Sequence, residues 1–250
     1  MIKPVLKLWS NNSRDWFLQS VDLLASGRIY GVELYANVNE PFDWETLSIL
    51  KKANVVAIHA PHNTAWHDFW LEEKQREDWV ATQVLANFFS VSNIIVHPAR
   101  KHNYDVFSKE LSRLSDKRIL IENMAGCDTS GRPMFGASFS DLEFIQKQAP
   151  ICFDFEKAIK AASRFGVNYL DFIKECLLSL QPEYGHISGG DPSNPIDEHN
   201  NLWDAQVDWL SIKKLIEEHS EGKIFLLAFE VPKIMDLSND LKNMDFFFKL

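Results

Sequence analysis

Short apolar segments alternate with longer segments of helical periodicity along most of the chain. Eight of the short segments are apolar at successive positions and rich in β-branched residues, which is typical of strands buried in a parallel sheet. In chain order they read PVLKLW, GVELY, VVAIHA, IIVHP, RILIEN, ICFDF, YGHIS and KIFLLAFE. The pattern therefore predicts eight strands.

The segments between these strands carry apolar residues at the three- and four-residue spacing of helices that pack one face on a sheet. The predicted helices span residues 14–26, 72–90, 106–114, 141–148, 169–180 and 209–218. Ser13, Ser140 and Asn168 are residue types that cap helix N-termini. Strands that alternate with helices in this way indicate either a closed barrel or a doubly wound sheet.

The segment after the first strand favours the barrel. It reads LWSNNSRDW and contains no glycine, whereas a dinucleotide-binding sheet would have a Gly-rich phosphate loop there. The length of 250 residues suits a barrel that forms one domain. We therefore predict an α/β protein with a single (β/α)₈ TIM barrel, in one domain that spans residues 1–250.

Composition narrows the function classes only slightly. Hydrophobic residues make up 46% and charged residues 24% of the chain, which is ordinary for a folded protein and argues against disorder. The net charge of −9 disfavours a nucleic-acid partner, although a local basic groove can coexist with an acidic surface. The three cysteines are too sparse for a disulfide framework or a thiolate zinc site. With no signal-peptide pattern and no long apolar segment, we expect a cytoplasmic protein without a membrane partner.

Metal-binding residue types recur at the ends of the predicted strands, which converge on one face of a barrel. Taken alone, a His at a strand end is more often a hydrogen-bonded structural residue than a ligand, and a carboxylate there can be a helix cap or a surface group. Burying them together without a cation would cost several kcal/mol per unpaired charge. Oxygen and imidazole ligands without thiolates suit Zn²⁺, Mn²⁺, Mg²⁺ or Co²⁺. The residues are His59, His62, His97, Glu122, Asp154, His186 and Glu230.

The order of these residues resembles that of the xylose isomerase-like barrel superfamily, which includes sugar-phosphate isomerases and epimerases and endonuclease IV. The resemblance covers nearly the whole chain. The segment GVELY, with Glu33, is similar to the second strand of the isomerase branch, and IDEHNNLWDAQVDW is similar to the superfamily's Asp-x-His segment through Asp197 and His199. For that branch the resemblance implies a single metal held by Glu122, Asp154, His186 and Glu230.

The endonuclease branch has further ligands on strands three and four, to which His59 and His97 correspond, and IENMAG is similar to its fifth-strand motif. One ligand of that branch's third metal is a His three residues after the strand-six Asp. Here this position is Lys157, which departs from both branches because many isomerases have a substrate-binding His there. Lys157 either grips a phosphate or carboxylate or forms an ordinary salt bridge with Asp154 or Glu156.

We favour a divalent-metal-dependent isomerase or epimerase that acts on a sugar or sugar phosphate. Glu122 and Glu230 would be the catalytic acid and base on either side of one carbon, and the metal would stabilise an enediolate as a Lewis acid. The small-molecule carbohydrate is the expected partner, and the sequence leaves a homo-oligomer open. As substrate-binding candidates we name Glu33, His62, Trp66, Lys157, Asp197 and His199.

The first alternative is an endonuclease IV-like, zinc-dependent phosphodiesterase that acts on abasic DNA, with Glu122 bridging two metals. The loops after strands two and three are acidic and aromatic rather than basic, which disfavours nucleic acid. Trp66, Phe69 and Trp70 would either wedge into a duplex, close over a sugar ring or pack under the barrel rim. The second alternative is a non-catalytic barrel that binds a ligand or partner.

Overall fold

The eight predicted strands are all present and parallel, and neighbours in sequence pair in a closed barrel. A computed structural model describes residues 1–62, 73–98, 103–234 and 236–250. This confirms the prediction of a (β/α)₈ TIM barrel. The strands are β1 Ile2–Trp9, β2 Gly31–Tyr35, β3 Val55–His59, β4 Ile94–Val96, β5 Ile119–Glu122, β6 Ile151–Asp154, β7 Tyr184–Ile187 and β8 Phe225–Phe229.

The six predicted helices are present, with ends within a few residues of those expected from the apolar spacing. Three further helices, α2, α6 and α9, were not predicted. The α-helices of the described residues are α1 Arg14–Ala25, α2 Trp44–Leu47, α3 Glu73–Phe89, α4 Tyr104–Leu114, α5 Phe139–Gln146, α6 Phe155–Phe165, α7 Tyr169–Leu180, α8 Trp209–His219 and α9 Ser238–Lys249.

Two of the three proposed caps lie where they were predicted. Asn168 accepts hydrogen bonds from the backbone N–H groups of Leu170 and Asp171 at the start of α7. Ser13 occupies the cap position of α1 without a side-chain hydrogen bond. The prediction of Ser140 as a cap was wrong, because α5 begins at Phe139. The cap is Ser138, which has an extended backbone and accepts a hydrogen bond from Asp141 N.

Residues 4–120 form one compact unit, and residues 1–3 with 121–250 form another. In the first unit, β2 pairs with β3 so that Tyr35 lies beside His59. In the second, β6 pairs with β7 so that Asp154 lies beside His186. Every residue of β6 and β7 is buried, as expected for parallel strands covered on both faces. The single domain over residues 1–250 stays a prediction.

Helix α6 follows β6 directly and places charged side chains in the interior. It ends at Gly166, whose backbone has the left-handed φ of 67° that favours glycine after a helix. All of its first eight residues are buried, including Glu156, Lys157 and Lys160. Because these charged residues interrupt the apolar spacing, the hydrophobic pattern did not reveal the helix.

The three cysteines, Cys127, Cys152 and Cys176, are all free and buried. Among the described helices, none combines the length and the apolar character that crossing a membrane requires.

Candidate active site

Four of the predicted metal ligands come together in the unit formed mainly by residues 121–250. Glu122 and Asp154 end β5 and β6, His186 lies within β7, and Glu230 follows β8. All four are buried, and one ligand atom from each lies within 4.8 Å of the others. The parallel strands therefore bring three carboxylates and one imidazole to a single point.

The imidazole of His186 contacts both glutamates through one ring nitrogen. Its Nδ1 is 2.9 Å from Glu122 Oε1 and 3.2 Å from Glu230 Oε1. Its Nε2 is 3.7 Å from the thiol sulfur of Cys152, the neighbouring residue on β6. The ring is thus held from both sides, with one nitrogen facing the carboxylates.

The ammonium of Lys157 lies against the same carboxylates. Its Nζ is 2.5 Å from Glu122 Oε1, 3.5 Å from Asp154 Oδ2 and 3.9 Å from Asp197 Oδ2. Burial alone would lower the pKa of Lys157, but the carboxylates of Glu122, Asp154 and Asp197 raise it well above its ordinary value. Lys157 is therefore a buried cation in a salt bridge. Its closest partner is Glu122, whereas the sequence analysis expected Asp154 or Glu156. Glu156 instead accepts hydrogen bonds from Ser188 and from the loop after β7.

The loop after β7 carries the two residues of the Asp-x-His segment to this cluster. His199 Nε2 is 3.1 Å from Asp197 Oδ1 and 3.3 Å from Glu230 Oε2. Burial would raise the pKa of Asp197, but Lys157 and His199 lower it well below its ordinary value. The side chains of Asp197 and His199 are 31% and 43% exposed, whereas the atoms that pair them, Asp197 Oδ1 and His199 Nε2, are buried.

A buried Glu–Lys pair that the sequence analysis missed holds this loop on α6. The carboxylate of Glu156 accepts hydrogen bonds from Ser188 Oγ at 2.6 Å, Glu198 N at 3.0 Å and His199 N at 3.2 Å. Burial, together with the nearby charges of Asp197 and Asp154, raises the pKa of Glu156 to about 8. Through its hydrogen bonds with Glu198 N and His199 N, Glu156 fixes the backbone of the segment that contains Asp197 and His199.

Lys160 provides the second attachment of the loop. Its Nζ donates to the backbone carbonyl of Asp191 at 2.7 Å and pairs with the carboxylate of Glu198. Gly190 passes so close that a Cβ there would lie 2.4 Å from Glu156 Oε1 and 2.8 Å from Lys160 Nζ. The sequence analysis missed this role because the segment was not predicted to be a helix and because charged residues are normally exposed.

The three predicted histidines of strands three and four form a cluster in the unit of residues 4–120. One ring nitrogen from each of His59, His62 and His97 lies within 4.8 Å of the others. The rings of His62 and His97 stack, with centroids 4.3 Å apart. Tyr35 Oη accepts a hydrogen bond from His62 N at 3.3 Å, and burial raises the pKa of Tyr35. These imidazoles could also hold a cation.

Two other predicted substrate-binding residues have different surroundings. The buried carboxylate of Glu33 pairs with Lys7 Nζ at 3.0 Å, and the two residues are neighbours in the register of β1 and β2. Trp66, like Phe69 and Trp70, lies outside the residues that the structure describes. A substrate-binding role for Glu33 and Trp66 therefore stays a prediction.

The cluster of Glu122, Asp154, His186 and Glu230 fits a divalent cation. Oxygen ligands and one imidazole suit zinc or manganese. Asp154 Oδ2 is buried without a hydrogen bond, and its nearest cation is the Lys157 ammonium at 3.5 Å. A buried carboxylate oxygen in this condition is suited to coordinate a metal ion.

No family model and no curated protein matches the sequence, but solved structures match over nearly its whole length. A D-tagatose 3-epimerase-like protein is 15% identical, with a TM-score of 0.67 over 98% of this chain and 96% of that one. A family 2 AP endonuclease from Brucella melitensis is 12% identical, with a TM-score of 0.69 over 100% and 99%. The IolI protein with a bound zinc atom is 11% identical, with a TM-score of 0.65 over 98% and 96%. This chain therefore shares its fold, a (β/α)₈ barrel, with these three proteins.

Proposed function

We propose that the protein is a divalent-metal-dependent isomerase or epimerase that acts on a sugar or sugar phosphate by proton transfer through an enediolate. The observation that carries this proposal is that Glu122 and Glu230 both approach one ring nitrogen of His186, at 2.9 and 3.2 Å from Nδ1. Epimerases among the structures of the same fold support it.

Two buried carboxylates suit this reaction because one must remove a proton from a carbon next to a carbonyl and the other must return it. Glu122 is oriented by Lys157 and His186, whereas Glu230 lies beside His186 and His199. The different surroundings of the two glutamates allow one to act as base while the other acts as acid. A divalent ion held by the four ligands would supply Lewis-acid stabilisation of the substrate oxygens.

The partly exposed side chains of Asp197 and His199 are placed to bind hydroxyl groups of the substrate. His199 contacts both Asp197 and Glu230, so a sugar held by these two residues would lie next to one of the reacting carboxylates. This arrangement suits a small polyhydroxy compound because it offers hydrogen-bonding groups beside the acid and base.

Deuterium exchange tests the proposal directly. The protein with Mn²⁺ or Zn²⁺ is incubated in D₂O with a panel of aldoses, ketoses and their phosphates, and NMR follows the proton on the carbon next to the carbonyl. We expect exchange with at least one sugar, and a loss of about 10²-fold or more in Glu122→Gln and Glu230→Gln. Glu143→Gln, which changes an exposed glutamate of α5, is the control and should keep the full rate.

The outcome that contradicts the proposal is equally specific. Protein with bound metal that exchanges none of the sugars is not such an isomerase. Exchange that continues unchanged in both glutamate variants would remove the assigned acid and base.

A second candidate is a zinc-dependent phosphodiesterase that acts on abasic DNA. The cluster of His59, His62 and His97 favours it, because three imidazoles suit zinc, and AP endonucleases are among the structures of the same fold. Two or three zinc ions per chain, with nicking of an abasic duplex that His59→Ala abolishes, would support this candidate. Cation binding without turnover of sugars or DNA would instead indicate a non-catalytic barrel.

A further inference from the structure

We propose that Lys157 is an exchangeable internal cation: its ammonium neutralises Glu122 and Asp154 when no metal is bound and moves to Asp197 when a divalent ion binds. This inference rests on the metal site proposed above. The position of the Lys157 ammonium would then set the affinity of the site for metal.

The ammonium of Lys157 contacts two of the proposed metal ligands. Lys157 Nζ lies 2.5 Å from Glu122 Oε1 and 3.5 Å from Asp154 Oδ2, and both carboxylates belong to the four-residue cluster. The Lys157 side chain is 2% exposed, so water does little to screen its charge. A divalent ion bound to the same carboxylates would be repelled by the ammonium.

A third carboxylate, that of Asp197, lies close enough to receive the ammonium. Asp197 Oδ2 is 3.9 Å from Lys157 Nζ, so movement of about 1 Å would bring the pair to the distance of a charge-assisted hydrogen bond. Asp197 uses its other oxygen, Oδ1, toward His199. The flexible four-carbon stem of a lysine permits this movement, and the ammonium remains paired throughout.

Hydrogen bonds to α6 hold the segment that contains Asp197 in place. Glu156 accepts the backbone N–H groups of Glu198 and His199, the residues that follow Asp197. The loop therefore holds the receiving carboxylate next to α6, on which Lys157 stands. Only the side chain of Lys157 therefore has to move for its ammonium to leave Glu122 and Asp154 and pair with Asp197.

Calorimetric titration of Mn²⁺ or Zn²⁺ into three variants tests the exchange. Lys157→Met removes the ammonium with little change in length, and we expect its metal affinity to be at least tenfold tighter than that of the unsubstituted protein. Asp197→Asn removes the charge of the destination, and we expect affinity at least threefold weaker. Lys174→Met loses an exposed lysine of α7 and should keep the affinity within about threefold.

Thermal unfolding gives a second readout. Metal should raise the Tm of Lys157→Met more than that of the unsubstituted protein, because the variant has no ammonium to displace. If Lys157→Met does not fold without metal, refolding of the variant on addition of metal supports the exchange, and failure to refold at saturating metal overturns it.

Equal or weaker metal binding by Lys157→Met would overturn the exchange while leaving the metal site in place. If neither the unsubstituted protein nor Lys157→Met bound a divalent ion, the proposed function would fail first. The two failures are therefore distinguishable.

Discussion

The backbone N–H of Lys157 donates a 2.9 Å hydrogen bond to Asp154 Oδ1. Asp154 is therefore the N-cap of α6 as well as a proposed metal ligand, and its two oxygens divide these tasks because Oδ2 faces Lys157 Nζ. The capping role is seen in the structure, and the metal-binding role belongs to the proposed function.

The two roles of Asp154 can be separated. Asp154→Asn keeps an oxygen that can cap the helix, whereas Asp154→Ala does not, so we expect Asp154→Ala to be less stable than Asp154→Asn by about 1 kcal/mol. Both should bind metal at least tenfold more weakly, because each loses the carboxylate charge. Urea unfolding and metal titration check these expectations. Equal stability of the two variants, or full metal affinity in Asp154→Asn, would contradict them.

The backbone of His199 has a left-handed φ of 54°, which asparagine tolerates better than alanine. We expect His199→Ala to destabilise the fold by about 1 kcal/mol more than His199→Asn does. Both should slow sugar deuterium exchange, because both lose the imidazole beside Glu230. Chemical unfolding with the exchange assay measures the two effects separately. Two variants of the same stability would show that the backbone at this position is not strained.

A Cβ at Gly190 would lie 2.4 Å from Glu156 Oε1, so the Glu156 carboxyl group would have to shift away from its hydrogen bonds with Ser188, Glu198 and His199. We expect Gly190→Ala to lower the free energy of unfolding by about 1–3 kcal/mol. In a double-mutant cycle with Glu156→Ala, the combined loss should be smaller than the sum of the single losses, because the clashing carboxylate is gone. Strict additivity would mean that Glu156 is not what excludes a side chain at position 190.

Asp116 links stability to pH in the unit of residues 4–120. It accepts hydrogen bonds from Arg118 Nε and Nη2 and from Gln83 Nε2, and chiefly the Arg118 bonds lower its pKa from 3.8 to about 2. The stabilisation is therefore present above pH 3.8 and is lost as the pH falls toward 2. After allowance for solvent screening, we expect Asp116→Asn to cost about 1 kcal/mol at pH 7.

Urea unfolding between pH 7 and pH 2 measures this contribution. The difference in stability between Asp116→Asn and the unsubstituted protein should shrink as the pH falls below 4, because the carboxyl group becomes protonated. A difference that stays constant or grows over this range would contradict the assignment.

The strands and the proposed ligands could be predicted from sequence because each follows from a local pattern. A buried parallel strand is apolar at nearly every position, and a polar residue at its end, such as Glu122 or Asp154, is easily recognised. Parallel strands then bring these ends together without further information.

The ion pairs within the site could not be predicted in the same way. Lys157 and Glu122 are 35 positions apart, and no local pattern links a helical lysine to a particular strand-end carboxylate. Helix α6 was missed for a related reason, because Glu156, Lys157 and Lys160 are buried where charged residues normally mark a solvent-facing surface.

The loop after β7 is closed at its base by the paired backbones of Gly189 and Asn200, which exchange hydrogen bonds of 2.8 and 2.6 Å. To exchange this loop for the corresponding loop of another barrel, a protein engineer would keep Gly189 and Asn200 and replace only the residues between them. Because the Gly189–Asn200 pair fixes where the chain leaves and rejoins the barrel, replacement loops of different lengths would begin and end in the same positions. This loop is therefore suited to random variation of its sequence and length.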